Sequence, residues 1–129
     1  MRKHALSDKA QIQKEADKVL QQLVVKKWPK CECCGQPTFC GHHFIEKSKS
    51  NILRYDLKNL IPVCIGCHSK FHNQFGFSYL TYDIIAETIK RRGEKWHKYI
   101  EQTRHKLIKN DFIYIQAQHD ALLKELNET

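Results

Sequence analysis

The chain has 129 residues, of which 41% are hydrophobic, enough for one domain with a modest core. Its formal net charge of +8 favours a polyanionic partner, although the same charge also serves solubility. It shows no signal-peptide pattern and no run of 18 apolar residues, which excludes a membrane span and leads us to expect a cytoplasmic protein.

A helix is predicted over residues 8–26, with Ser7 as its N-cap. Its apolar residues recur at helical spacing and form one stripe, which we expect to pack on the central part of the chain. They are Ile12, Ala16, Val19, Leu20, Leu23 and Val24. Pro29 ends the helical segment. The lysines around Trp28 either contact phosphates or form a solvated rim, and both alternatives stay open.

Two Cys-x-x-Cys pairs enclose the central segment. The pairs are Cys31 with Cys34 and Cys64 with Cys67. Two such pairs complete the tetrahedral ligand set of a structural zinc ion. The 29 residues between them exceed the usual spacing, so the segment is predicted to fold as a hairpin. A disulfide framework is the alternative, which a cytosolic location disfavours. Cys33 and Cys40 have no predicted role.

Four histidines and one asparagine lie in or directly after this hairpin. They are His42, His43, Asn59, His68 and His72. His68 and His72 are four residues apart on a helix predicted from about 67 to 73, so they share one face and can hold one metal ion. His42 and His43 are adjacent on a strand predicted over 38–45, so their side chains point to opposite faces. Asn59 directly precedes a second strand, predicted over 60–63.

The combined pattern over residues 31–73 resembles the HNH endonuclease family, which has a ββα-metal fold. The resemblance implies a DNA endonuclease that hydrolyses phosphodiester bonds to 5′-phosphate and 3′-hydroxyl ends. It implies that His43 is the general base and that Asn59 orients it through a hydrogen bond to its backbone or ring. It makes His42 and His68 ligands of a catalytic metal, with His72 as a further ligand. Imidazole ligands favour Mn, Ni, Co or Zn over Mg.

A narrower resemblance, to the phage recombination nucleases of the NinG (Rap) type, is carried by ADKVLQQLVVKKW, CECCG and GHHFIEKSKSNILRYDLKNLIPVCIGC. It implies DNA, branched or double-stranded, as the partner. That family often has glycine at the position of His42 and asparagine at that of His68, and this chain departs there. The alternatives are a sequence-specific HNH nuclease, restriction- or homing-like, an RNA-directed nuclease, and a non-catalytic zinc-ribbon DNA-binding module.

The C-terminal third is predicted to form three helices. The first ends at Arg92 before Gly93, the second covers about 94–109, and Asp111 caps the third. The second helix presents Trp96, Ile100 and Leu107, and one face of the third carries Phe112, Ile115, His119, Leu122, Leu123 and Leu126. The apolar face of the third helix can also serve a homodimer.

Two basic stretches are candidate DNA contacts. The polar loop after the first strand contains Lys47, Lys49 and Arg54, which we expect to contact phosphates. A second stretch has eight basic and two acidic residues between positions 90 and 109 and is centred on Lys90, Arg91 and Arg92. For this stretch DNA contact, a partner helix and a solvated helix face all stay open.

The predicted fold is therefore α+β and mostly helical. It has a zinc-stapled ββα-metal core at residues 31–76, an N-terminal helix with a basic linker at 1–30, and a helical C-terminal extension at 77–129.

Overall fold

The computed structural model describes residues 7–72 and 78–129, and for residues 71, 72 and 78–84 only the backbone. The helices are α1 (Asp8–Lys27), α2 (Ile65–His72), α3 (Ser78–Arg92), α4 (Glu94–Arg104) and α5 (Phe112–Glu128). The strands β1 (Cys40–His43) and β2 (Leu60–Val63) precede α2, and two 3₁₀ helices, Leu53–Tyr55 and Leu57–Asn59, lie between them. The predicted α+β, mostly helical class is confirmed.

Helix α1 begins and is buried as its sequence predicts. The Ser7 hydroxyl accepts a hydrogen bond from the Ala10 N–H at 3.1 Å, which satisfies one free donor of the first turn. All six residues of the predicted apolar stripe are buried. They pack against Ile115 and Leu122 of α5 as well as against Tyr55 and Leu60 of the hairpin. The expected contact with the central segment is present, and α5 is an additional partner that the sequence pattern did not indicate.

The two strands form an antiparallel pair in which Cys40 lies opposite Val63 and His43 opposite Leu60. The cysteine pairs therefore flank one end of this hairpin, and the Asn59 loop closes the other. Since the predicted first strand covered 38–45, the observed strand is shorter at both ends.

Helix α1 packs against the outer edge of β1, where the Gln21 side chain makes the two hydrogen bonds that the backbone of a neighbouring strand would make. The Gln21 amide donates to the Gly41 carbonyl at 2.9 Å and accepts from the Gly41 N–H at 2.7 Å. A Cβ atom at position 41 would lie 3.0 Å from Leu60 and Val24 side-chain atoms, so glycine permits this close approach. Gln21 thus satisfies the edge of β1 directly beside His42.

The C-terminal helices follow the prediction except at the C-terminal end of α4. Gly93 has a φ of +96° and separates α3 from α4, and the Asp111 carboxylate accepts from the Tyr114 N–H at 2.9 Å to cap α5. Helix α4 ends at Arg104, with His105 as its C-cap, five residues before the predicted 109. Leu107 is consequently 97% exposed, and its predicted place on the apolar face of the second helix is wrong.

Helix α4 packs against the loop between the strands. Its Ile100 is buried with Ile45 and Leu53, and Trp96 and Tyr99 cover this cluster. No helix in the described part of the chain is long and apolar enough to cross a membrane. The division of the chain into an N-terminal part (1–30), a core (31–76) and a C-terminal extension (77–129) stays a prediction.

Candidate functional site

The four cysteines of the two pairs meet at one end of the hairpin. Their sulfur atoms all lie within 4.8 Å of one another, and those of Cys34 and Cys64 are 3.5 Å apart. Four sulfurs bound to one zinc ion at about 2.3 Å would be about 3.8 Å apart, so the cluster fits such an ion. Cys33 is exposed and lies outside the cluster, which agrees with the predicted pairing of Cys31 with Cys34.

The pKa values of Cys31 and Cys67 in this cluster are shifted in opposite directions. Burial would raise the pKa of the Cys31 thiol, but hydrogen bonds with the backbone of Cys64, Cys34 and Cys33 lower that pKa to about 6. Burial and the neighbouring sulfurs raise the pKa of the Cys67 thiol. Without a cation the cluster therefore holds a mixture of thiolates and thiols, whereas zinc binds four thiolates.

An open cleft of about 510 Å³ lies beside β1. It is lined by Gln21, Phe39, Cys40, Gly41, His42, His43, Glu46, Lys47 and His68. The rings of His42 and His68 meet edge to face, with centroids 5.8 Å apart, so β1 and α2 bring these two predicted metal ligands together. His72 is the last residue of α2, and its side chain lies outside the described residues.

His43 is oriented by the backbone of the loop. Its Nε2 lies 2.9 Å from the Arg54 carbonyl oxygen, and since a carbonyl only accepts, Nε2 carries the hydrogen. The nitrogen able to accept a proton is therefore Nδ1. Burial lowers the pKa of His43, and the hydrogen bond to Arg54 opposes this in part. The ring is thus neutral near pH 7, the form that a proton acceptor requires.

Asn59 holds the same loop through side-chain hydrogen bonds to residues other than His43. Its side chain is fully buried, and its Oδ1 accepts from the Ile45 N–H at 2.8 Å. Its Nδ2 donates to the carbonyls of Ile45, at 3.0 Å, and Leu53, at 3.1 Å. The predicted hydrogen bond from Asn59 to the backbone or ring of His43 is therefore corrected. The side chain points into the loop, where it holds the Leu53 carbonyl, and the next carbonyl along the chain, that of Arg54, bonds His43.

The three arginines among the predicted DNA contacts are paired with carboxylates. Arg54 donates to both oxygens of Asp17, at 3.2 and 2.7 Å. Arg91 and Arg92 both donate to Glu32, and although burial opposes it, they lower the pKa of that carboxylate. Contact of these arginines with DNA stays a prediction, as it does for the exposed Lys47, Lys49 and Lys90.

Sequence reasoning missed the partners that hold the site together. Asp17 and Gln21 lie at the border of the α1 stripe and are half-buried, and polar residues at such a border were the available signal. Glu32 lies within the first cysteine pair, and nothing in its local sequence indicates two arginines 59 and 60 residues away.

A family model described as HNH endonuclease matches residues 31–74, from the first cysteine pair to just beyond α2. The match supports the HNH family and a nuclease of the HNH type acting on DNA. No curated protein and no solved structure matches the chain.

Proposed function

We propose that this protein is a metal-dependent DNA endonuclease of the HNH type that cuts branched recombination intermediates in a phage or prophage. The observation that carries the nuclease proposal is the position of His43. It lines a cleft shared with His42 and His68, and its Nε2 hydrogen is taken by the Arg54 carbonyl. The HNH match over the same residues supports this assignment.

His43 would take a proton from the attacking water at Nδ1. A positioned base of this kind contributes about 10²–10⁴-fold to a rate. Asn59 would hold the loop whose carbonyl fixes the His43 ring, so that one orientation prevails. The exposed Lys47, at the wall of the cleft, and Lys49, in the same turn, would contact the phosphates, because the nearby Arg54 is engaged by Asp17.

His42, His68 and His72 would hold one divalent ion. Such an ion neutralises the charge that develops on the phosphate and on the leaving oxygen. Three imidazoles favour Mn, Ni, Co or Zn over Mg. A separate zinc ion on the four cysteines would fix the start of α2, which carries His68, against the hairpin.

The preference for branched DNA rests on the resemblance to the NinG-type nucleases. A junction presents several backbones at once, and a homodimer would place two sites on it. On α5, Phe112 and Leu123 are 42% and 37% exposed and are available for such a contact.

The test is His43→Ala, with His105→Ala as the matched control because His105 is exposed beyond α4. Both variants are assayed on a four-way junction, a linear duplex and a single strand, with Mn, Ni and Mg in turn. We expect His43→Ala to lose about 10²–10⁴-fold in cleavage rate at unchanged zinc content and DNA affinity. Near wild-type cleavage by His43→Ala would show that another group is the base. Equal cleavage of junction and duplex would contradict the proposed preference for branched DNA.

A further inference from the structure

Arg92, at the end of α3, makes more hydrogen bonds than an ion pair requires. Its Nε and Nη2 donate to Glu32, the latter at 2.6 Å. Its Nη1 donates to the Lys58 carbonyl at 3.0 Å, and its Nη2 also donates to the Leu60 carbonyl at 2.9 Å. These two carbonyls lie immediately before and after Asn59. One guanidinium group thus connects the first cysteine pair to both sides of the buried asparagine.

Trp96, one turn into α4, supports the same contact. Its indole N–H donates to the Lys58 carbonyl at 2.7 Å, so two donors use the two lone pairs of that oxygen. The guanidinium carbon of Arg92 lies 4.9 Å from the centre of the Trp96 ring, within cation–π distance. The side chain of Arg92 is 17% exposed, which is low for a group that would contact DNA.

From Asn59 the contacts continue to the catalytic cleft. Asn59 holds the carbonyl of Leu53, and the next carbonyl, that of Arg54, accepts the hydrogen bond from His43. We propose that Arg92 is a positioning residue, which sets the orientation of His43 through the Asn59 loop and does not contact DNA. The inference rests on the proposed function of His43 as general base.

Arg91 supplies a matched control. It donates to the same Glu32 carboxylate, at 3.0 Å, and carries the same charge. Its other hydrogen bonds go to the Cys33 sulfur and the Thr88 hydroxyl, away from the loop carbonyls. Arg91→Gln and Arg92→Gln therefore remove equal charge and one partner of Glu32, but only Arg92→Gln frees the carbonyls beside Asn59.

The experiment measures kcat, KM and DNA affinity of both variants at several salt concentrations, and hydrogen exchange of the Ile45 amide, which donates to Asn59. We expect Arg92→Gln to lower kcat about 10- to 100-fold, since displacement of a catalytic group by 1 Å costs that much, with unchanged KM and salt dependence. The Ile45 amide should exchange faster, while the Leu20 amide in the α1 core keeps its rate. Arg91→Gln leaves the loop carbonyls bonded to Arg92, so its kcat should fall less than that of Arg92→Gln, and its Ile45 amide should keep the wild-type exchange rate.

Equal decreases of affinity and of salt dependence in both variants would overturn the proposal in favour of DNA contact. Faster exchange throughout the Arg92→Gln chain, including Leu20, would overturn it in favour of a general structural role. If Arg92→Gln does not fold, Arg92→Lys keeps the charge but cannot bond Glu32 and both loop carbonyls with one ammonium group, and its unchanged kcat and Ile45 exchange would also overturn the proposal. If the wild type cuts no DNA, the proposed function fails, and the Ile45 exchange still decides whether Arg92 holds the loop.

Discussion

The two ends of the β1–β2 hairpin are held by different means. At the cysteine end, four sulfur atoms lie within 4.8 Å of one another, an arrangement that four thiolates can adopt only around a cation. At the asparagine end, three hydrogen bonds from one buried side chain join both sides of the loop. The cysteine end could hold a metal ion, whereas the asparagine end is joined by hydrogen bonds within the chain.

The two ends therefore support different residues of the candidate site. The cysteine end positions the start of α2 and hence His68, while the asparagine end positions His43 through Arg54. Metal binding and proton transfer would therefore depend on different supports, which Arg92 links through Glu32.

The largest effect is expected from Cys64→Ser, which breaks the cysteine end. Structural zinc supplies about 10–16 kcal/mol in zinc-finger peptides, as much as the whole stability of a typical domain, so the variant should lose zinc and unfold. Metal analysis and thermal unfolding followed by circular dichroism measure this. Cys33→Ser is the control, because Cys33 lies outside the cluster and its variant should keep one zinc per chain. Wild-type melting of Cys64→Ser would refute a structural role for zinc.

A smaller effect is expected at the asparagine end from Asn59→Ala. The change leaves the N–H and carbonyl of Ile45 and the carbonyl of Leu53 without their partner in a buried loop. Since an unpaired buried group costs about 1–3 kcal/mol, we expect a destabilisation of about 3–5 kcal/mol after partial relaxation, measured by urea unfolding. The exposed Asn51 in the same loop gives the control, and Asn51→Ala should change stability by about 0.5 kcal/mol or less. Equal destabilisation in the two variants would show that the loop does not depend on Asn59.

Features that depend on local pattern were predictable from the sequence. The caps at Ser7 and Asp111 and the buried stripe of α1 follow from residue type and helical spacing. The second strand was predicted at its observed bounds, because a short apolar run follows a turn. The four cysteines were identified by the spacing of their pairs alone.

Features that depend on distant partners were not predictable. From the sequence, Arg54, Arg91 and Arg92 were predicted to form a basic surface. Their carboxylate partners, Asp17 and Glu32, lie 37 and about 60 residues away and meet them only in the folded chain. The hydrogen bond predicted from Asn59 to His43 is replaced by hydrogen bonds to Ile45 and Leu53. The hydrogen-bond partners of Asn59 are backbone groups, which every residue carries and no sequence pattern distinguishes.

The smallest effect on stability, and one specific to DNA, is expected from the double variant Lys47→Gln with Lys49→Gln. Both residues are exposed in the turn that follows His43 at the asparagine end, so their replacement should change stability by about 0.5 kcal/mol or less. Removal of one lysine–phosphate interaction should reduce the slope of log affinity against log salt by about 0.9, so the double variant should reduce it by up to about 2.

Lys9→Gln with Lys14→Gln removes the same charge from exposed positions of α1 that do not line the cleft, and is the matched control. Fluorescence anisotropy with one junction substrate at four or more salt concentrations gives both slopes. If the control reduces the slope as much as the turn variant does, the overall positive charge attracts the DNA and the turn has no specific contact. If only the turn variant does so, the end of the hairpin that carries His43 also contacts the phosphates.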